Sequence, residues 1–329
     1  MNTSVRALVC HKLTDDLSGV SVRGFPRSPS GPGSVTVRVH AAALNFPDLL
    51  MTRGGYQHRL EVPFVIGMEG AGEVIGIAAD VTNIAVGDRV CFRSRSGACA
   101  ETVVLPAAEV HAVPANFTLA DAAAYQIAAL TAYVALVQRG ALVAGETLLV
   151  HGASGGMGLA AVQLGHALGA HVVATGTSAA KLAIALKHGA DHAVDSAPVF
   201  RDRVMQLTDG RGADVIFDPV GGDVFDESVH CIAWGGRLLV VGFAGGRIPE
   251  LRVNMPLLKG FSVIGVRAGE SGRRDPVRGA QAQSEIERLA AAGVFKPHIG
   301  ARYALENGLG ALRAMAQRRV VGKILIEMR

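Results

Sequence analysis

The stretch VHGASGGMGLAAVQLGHALGA, Val150–Ala170, restricts the possible folds more than any other part of the chain. Four of its glycines fall between His151 and Leu159, where an apolar run, TLLV, meets a segment of helical spacing, GLAAVQLGHALG. Ala153–Gly158 reads A-x-G-x-x-G. Between a strand and a helix, that pattern lets backbone N–H groups approach a diphosphate. Ala153 and Gly155 permit the tight turn, and Gly158 lets the helix lie close on the strand. The helix start then offers its unsatisfied N–H groups to the ligand, here through Gly155, Gly156 and Met157. The alternative is a glycine-rich turn with no ligand; the β-α-β context argues against it.

The surrounding pattern agrees. TLADAAAYQIAALTAYVALVQRG has helical spacing, with Thr118 or Asp121 near its N-cap and Gly140 as its stop. Apolar strands (TLLVHGA, HVVAT, HAVD, ADVIFDPVG, RLLVVGF, SVIGVR) then alternate with helices (GLAAVQLGHALG, AAKLAIALKHG, FRDRVMQLTDG, FDESVHCIAWGG). Such alternation predicts a doubly wound parallel sheet, an α/β Rossmann domain. The earlier part is β-rich: SVTVRVHAAAL and GAGEVIGIAADV alternate, and turn residues recur about every 8–12 positions, which predicts a small barrel-like domain. The expected division is a β-rich domain over 1–120, a dinucleotide domain over 121–265, and a return to the first domain over 266–329.

At 329 residues the chain exceeds one ordinary core and suits two domains. Half of it is hydrophobic and 18% charged, so disorder is not expected. The net charge of +4 is spread thinly; SGRRDPVR and QRRVVGK read as solvated faces or anion contacts rather than a nucleic-acid surface. No uninterrupted apolar run suggests a membrane span, and MNTSVRALVCHK lacks a signal-peptide core. The four cysteines, Cys10, Cys91, Cys99 and Cys231, form no C-x-x-C, so a cytoplasmic location is expected.

Cofactor choice is read at the end of the second Rossmann strand. A site for NAD usually carries an acid there for the ribose 2′-hydroxyl. VVATGTSAAK has none; Thr175, Thr177, Ser178 and Lys181 stand there instead. Hydroxyls and a cation suit a 2′-phosphate, so NADPH is expected, with Ser178 and Lys181 among its ligands. A solvated helix lysine is the alternative for Lys181.

These features, taken in order, resemble the zinc-free quinone oxidoreductases (the zeta-crystallin-like group) of the medium-chain dehydrogenase/reductase superfamily. The carriers are AAALNFPDLLMTRGGY, PFVIGMEGAGEV, VGDRV, LTAYVAL, HGASGGMG and VIFDPVGG. The resemblance implies a GroES-like catalytic domain beside the Rossmann domain and a site between them. It also implies a homodimer or homotetramer joined by Rossmann edge strands, here FSVIGV. By matched position it adds Thr131, Gly242, Phe243 and Lys323 to the cofactor ligands. It assigns Asn45 to the nicotinamide ribose or the substrate, and Tyr56 to the substrate oxygen as hydrogen-bond or proton donor. The alternatives are a helix cap for Asn45, an aromatic wall for Tyr56 and a surface lysine for Lys323. Where relatives carry an adenine-contacting tyrosine, this chain offers Ser196. Arg53 and Arg267 are further candidates for positive charge at the cleft, with a plain surface position the favoured alternative for both.

Zinc-dependent relatives hold a catalytic metal at positions that here read Asn45, Met68 beside Glu69, and Gln126. Asn, Met and Gln are not a usual zinc set, so no metal is expected. Hydride transfer to a quinone or another electron-poor conjugated carbonyl then fits better than alcohol oxidation, which needs a Lewis acid. A 2-enoyl-thioester or enone reductase of the same fold is the alternative, with ESGRRDPVR as a phosphate patch. A non-catalytic NADPH- or RNA-binding protein is the third reading.

Overall fold

The computed structural model describes residues 4–196 and 200–328. They divide into two compact units, Met1–Ile127 with Pro297–Arg329, and Ala128–Lys296.

The second unit is built on a six-stranded parallel sheet. Numbering its strands in chain order, Thr147–Val150, His171–Gly176, His192–Asp195, Ala213–Asp218, Ile232–Val240 and Ser262–Gly265 lie in the spatial order 3-2-1-4-5-6. This is the dinucleotide-binding order, and its direction reverses between the first strand and the fourth. The first strand is buried throughout, as a strand covered on both faces must be. Beneath the sheet Leu149, Val173, Ile216 and Leu238 pack against Phe200, Val204 and Phe225 of two helices. Ser262–Gly265 lies at the sheet edge, as FSVIGV predicts.

The first unit holds a seven-stranded sheet and a three-stranded sheet, in which Ser4–Cys10 pairs Val20–Pro26 and Phe64–Val65. In the larger sheet the long strand Ser34–Leu44 lies between Glu69–Ile77 and the C-terminal strand Lys323–Glu327, antiparallel to both. The chain's last strand therefore completes its first domain.

Two expectations change. The return to the first unit begins at Pro297, not at 266. The helix Pro276–Ala291 stays with the Rossmann unit, burying Ala282, Ile286 and Ala290, and Gln163 holds the following segment by bonding both the carbonyl and the N–H of Lys296. The segment FDESVHCIAWGG is not one helix. The helix ends at Ser228 and the fifth strand starts at Ile232, where Gly235, at φ +76°, takes a conformation a side chain resists. The predicted first helix does form, as Leu119–Tyr133 continued by a π-helical turn, Val134–Arg139. Thr118 and Asp121 cap it reciprocally: Asp121 Oδ2 accepts the Thr118 N–H at 3.0 Å and Thr118 Oγ1 accepts the Asp121 N–H at 3.1 Å. Leu119–Arg139 is long and apolar enough to cross a membrane, yet 67% of its apolar window is buried inside the protein, the pattern of a core helix.

Candidate active site

In the Rossmann unit the glycine turn is built by backbone demands. Gly152 sits at φ +57°, in the left-handed region. Gly158 is forced by packing: a Cβ there would meet Gly152 O at 2.3 Å and Ala153 Cα at 2.7 Å. Gly155 is different. Its φ of −76° suits any residue, and the nearest obstacle to a Cβ is Gly152 O at 3.4 Å, an ordinary contact. The protein's own packing does not require glycine at this position. Gly155 is also the N-cap of the helix Gly156–Ala167 and supplies no side-chain cap. The first-turn N–H groups, those of Gly156 and Met157 among them, therefore await an acceptor, as at an anion site. The cradle fits a diphosphate.

His151 lies directly below this turn, fully buried. Its Nδ1 is 2.8 Å from Thr175 Oγ1 and its Nε2 2.8 Å from Ser228 Oγ. The Ser228 hydroxyl proton is committed to Val224 O, so Nε2 carries the imidazole proton and Nδ1 accepts from Thr175. Burial pushes the His151 pKa down to about 3, and the ring is neutral. Thr175 is 1% exposed and faces this histidine, so it is withdrawn from the phosphate-binding set. Thr177 is exposed and Ser178 half-buried. Ser178 caps the helix Ala179–Lys187, accepting the Lys181 N–H at 3.4 Å. Ser196 donates its N–H to Gly176 O, beside the end of the same second strand. Across the switch point Asp218 Oδ1 accepts the N–H groups of Val220 and Gly221 at 2.8 and 2.9 Å. That turn abuts the loop bearing Gly242 and Phe243: Gly242 donates to Asp218 O, and a Cβ on Gly221 would touch Phe243 at 2.9 Å. Thr131 is half-buried in the helix Leu119–Tyr133.

In the β-rich unit sheet register assembles a polar cluster. Glu69 pairs with Ala43 and Ile324 with Leu44, which brings Glu69, Asn45 and Lys323 together from three neighbouring chain segments. Lys323 Nζ donates to Asn45 Oδ1 at 2.6 Å and to Glu69 Oε1 at 2.7 Å. Lys323 is 5% exposed and Glu69 1%. The surface-lysine alternative for Lys323 is thereby overturned. Asn45 Nδ2 donates to Glu69 Oε1 at 2.9 Å and to Ala43 O at 3.3 Å. Asn45 occupies the N-cap of the helix Phe46–Thr52 and forms a capping box with Asp48. Asp48 takes the Asn45 N–H at 2.8 Å and the Gly67 N–H at 3.2 Å. Full burial outweighs those bonds and pushes Asp48 up to about 7.

A zinc ion does not fit this cluster. Glu69 Oε1 is held by Lys323 and Asn45, and Oε2 accepts the Ile127 N–H at 3.0 Å. Gln126 Oε1 accepts from Arg93 at 3.0 Å, and its Nε2 lies 2.8 Å from Cys91 Sγ. The atoms that might ligate a cation already accept from donors, and an ammonium occupies the centre. Among the described residues no group of three or more His, Cys, Asp or Glu side chains gathers to hold a metal.

Tyr56 follows the helix Phe46–Thr52 and packs, half-buried, on the β-domain core. Arg53 is exposed and donates to Asp15 O; Arg267 is exposed before the helix Ala268–Arg274. Sequence reasoning missed Gly152, His151, Ser228, Asp218 and Asp48. All five stood inside quoted segments, but no spacing rule links His151 to Ser228.

Comparison with known proteins agrees with the geometry. Residues 31–115 match the alcohol dehydrogenase GroES-like domain, and residues 156–285 the zinc-binding dehydrogenase domain. Over 327 residues the chain is 36% identical to quinone oxidoreductase-like protein 2 homolog of Nematostella vectensis, covering 98% of this chain and 89% of that one. The solved structure of mycobacterial Rv1454c complexed with NADPH superposes with a TM-score of 0.89 at 29% identity, covering 98% of this chain and all of that one. A solved NAD-dependent alcohol dehydrogenase gives a TM-score of 0.87 at 29% identity, covering 98% and 99%.

Proposed function

The chain belongs to the medium-chain dehydrogenase/reductase superfamily, among its quinone oxidoreductase-like members, and is an NAD(P)-dependent oxidoreductase; we propose that it uses NADPH to reduce a quinone or a similar conjugated carbonyl, without a metal. The observation that carries the reading is the uncapped helix start at Gly155, bare of side chains where packing does not demand it, at the switch point of the sheet.

When bound, the dihydronicotinamide supplies a hydride. The N–H groups of Gly156 and Met157 would hold the diphosphate, since the Gly155 N–H already donates to Gly152 O at 3.0 Å. Thr177, Ser178 and Lys181 receive the 2′-phosphate at a strand end where no carboxylate stands. Gly242, Phe243 and Thr131 of the Rossmann unit would line the nicotinamide half. The Tyr56 hydroxyl donates to the substrate oxygen as negative charge develops there.

The basic run ESGRRDPVR argues against a thioester substrate. Arg273 and Arg274 pair with Glu270 at 3.1 Å, and Arg278 faces Asp275 at 3.9 Å. Glu270 and Asp275 offset two of the run's three arginine charges, which leaves a weak field for a phosphate-rich carrier. We assign the protein to a reducing, cytoplasmic setting, which its four buried free thiols suit. We also assign it a homodimeric state through the Ser262–Gly265 edge, beside which Trp234, Val253, Leu257 and Leu258 are exposed.

The test is oxidation of NADPH and NADH, side by side, with quinones, enones and enoyl thioesters as acceptors. Preference for NADPH that collapses in Lys181→Ala, with quinone turnover, is expected. Equal use of both cofactors, or equal loss of both in Lys181→Ala, defeats the NADPH assignment.

A further inference from the structure

His151 directly follows the first Rossmann strand, and its one imidazole reaches to both sides of that strand. On one side Nδ1 accepts the Thr175 hydroxyl at 2.8 Å, in the second strand. On the other, Nε2 donates at 2.8 Å to Ser228, the last residue of the helix Gly222–Ser228 that follows the fourth strand. Phe200 meets the ring edge-to-face, at a centroid distance of 4.9 Å. All of these residues lie in the Rossmann unit.

Each hydrogen-bond partner is tied to a different part of the dinucleotide site. Thr175 O accepts the Ala153 N–H at 3.0 Å, so the residue that binds the imidazole also holds the glycine turn, and it stands two positions before Thr177. Ser228 closes a helix of seven residues whose other end is the turn bearing Gly221, beside Phe243. Ala244 and Gly245 donate to Pro219 O and Val220 O at 3.0 and 2.7 Å, which ties the loop of Gly242 and Phe243 to that same turn. Phe225 of the helix and Val229 just beyond it pack into the apolar core, a non-directional attraction that sets no register. Hydrogen bonds at 2.8 Å do set one.

We propose that His151 is a positioning residue, a buried strut that fixes the glycine turn and the end of the second strand at one spacing from the turn after the fourth strand. The adenosine half of the cofactor would bind on the first side and the nicotinamide half on the second. The strut then sets the frame that both halves of one molecule must fit. This rests on the NADPH reading above.

His151→Leu removes the bridge and strands neither hydroxyl: Ser228 keeps Val224 O at 2.6 Å, and Thr175 has Val150 O 3.5 Å away. The triple variant H151L/T175V/S228A replaces all three groups by apolar ones of similar shape, so no polar group is left to satisfy. Folding of both is checked by circular dichroism and melting. Dissociation constants are then measured by isothermal titration calorimetry for NADPH and for adenosine 2′,5′-bisphosphate, which lacks the nicotinamide half. Two linked halves reinforce each other only while their sites keep the spacing that the link allows. Loss of the two hydrogen bonds that hold the frame predicts NADPH affinity falling about 10-fold in both variants, with the adenosine fragment within about 2-fold of wild type. Thr175 and Ser228 act through His151, so the triple variant should match His151→Leu. A histidine that served the fold alone would lower the melting point and leave the ratio of the two affinities where it was.

Unchanged NADPH affinity in folded His151→Leu, equal losses for both ligands, or a triple variant that departs from His151→Leu in either direction overturns the proposal. Failure of the triple variant to fold makes the imidazole a folding element and overturns it too. Wild-type protein that binds the adenosine fragment as tightly as NADPH overturns it as well, since no second half is then held. Wild-type protein that binds neither sinks the functional reading itself.

Discussion

Gly155 and Gly158 are three positions apart in one turn, and the structure gives them opposite reasons for being glycine. A Cβ on Gly158 would lie 2.3 Å from Gly152 O, over an ångström inside the 3.4 Å at which Gly155 would meet the same atom. The three nearest atoms at Gly158 are all backbone, so helix and turn must separate. Overpacking of that kind costs about 1–3 kcal/mol. For a domain of this size each kcal/mol lowers the midpoint by about 2–4 °C, so Gly158→Ala should melt roughly 2–12 °C below wild type. Gly155→Ala meets no clash and keeps an allowed φ; the stiffer unfolded chain, a gain of about 0.4–1 kcal/mol, opposes the poorer alanine N-cap, a cost of about the same size, so stability should stay within about 1 kcal/mol of wild type. Its methyl group, however, stands where a diphosphate approaches the N–H groups, and NADPH affinity should fall by about 10-fold or more, the loss of at least one charge-assisted bond. Differential scanning calorimetry without ligand and fluorescence titration with NADPH separate the two effects. A Gly155→Ala protein that melts as low as Gly158→Ala, or that binds NADPH normally, refutes the reasoning: the first glycine would then serve the fold, or nothing at all.

Two further outcomes follow from buried and exposed groups. His151 has its pKa lowered to about 3 against an unfolded value of 6.5, so its contribution to stability is full above 6.5 and is lost as pH falls toward 3. That contribution reaches about 4–5 kcal/mol as an upper bound, and urea midpoints measured from pH 7.5 to 4.5 should fall more steeply in wild type than in His151→Gln; parallel curves contradict the assignment. At the Rossmann edge, V263D together with L257D should convert a dimer into a monomer by light scattering while leaving the melting cooperative; an unchanged mass removes this edge from the assembly.

Much of this protein was readable in one dimension. The strand–glycine–helix grammar at Val150–Ala170 and the apolar alternation after it determine a doubly wound sheet, because backbone geometry and hydrophobic period are local properties. The missing acid after His171 is equally local. Element ends were less legible: FDESVHCIAWGG reads as one periodic segment, and only pairing with Ala213 and Gly260 pulls its second half into the sheet. Beyond the Thr118 and Asp121 cap, the roles of single side chains were poorly legible. Thr175 and Thr177 are the same residue two positions apart, yet one faces His151 in the core and the other faces solvent. Lys323 is a strand-end lysine by sequence and a buried cation by register, because Ile324 pairs with Leu44 and Glu69 with Ala43. Whether a polar atom is spent or available depends on partners distant along the chain, and only the folded sheet brings those partners within hydrogen-bond reach.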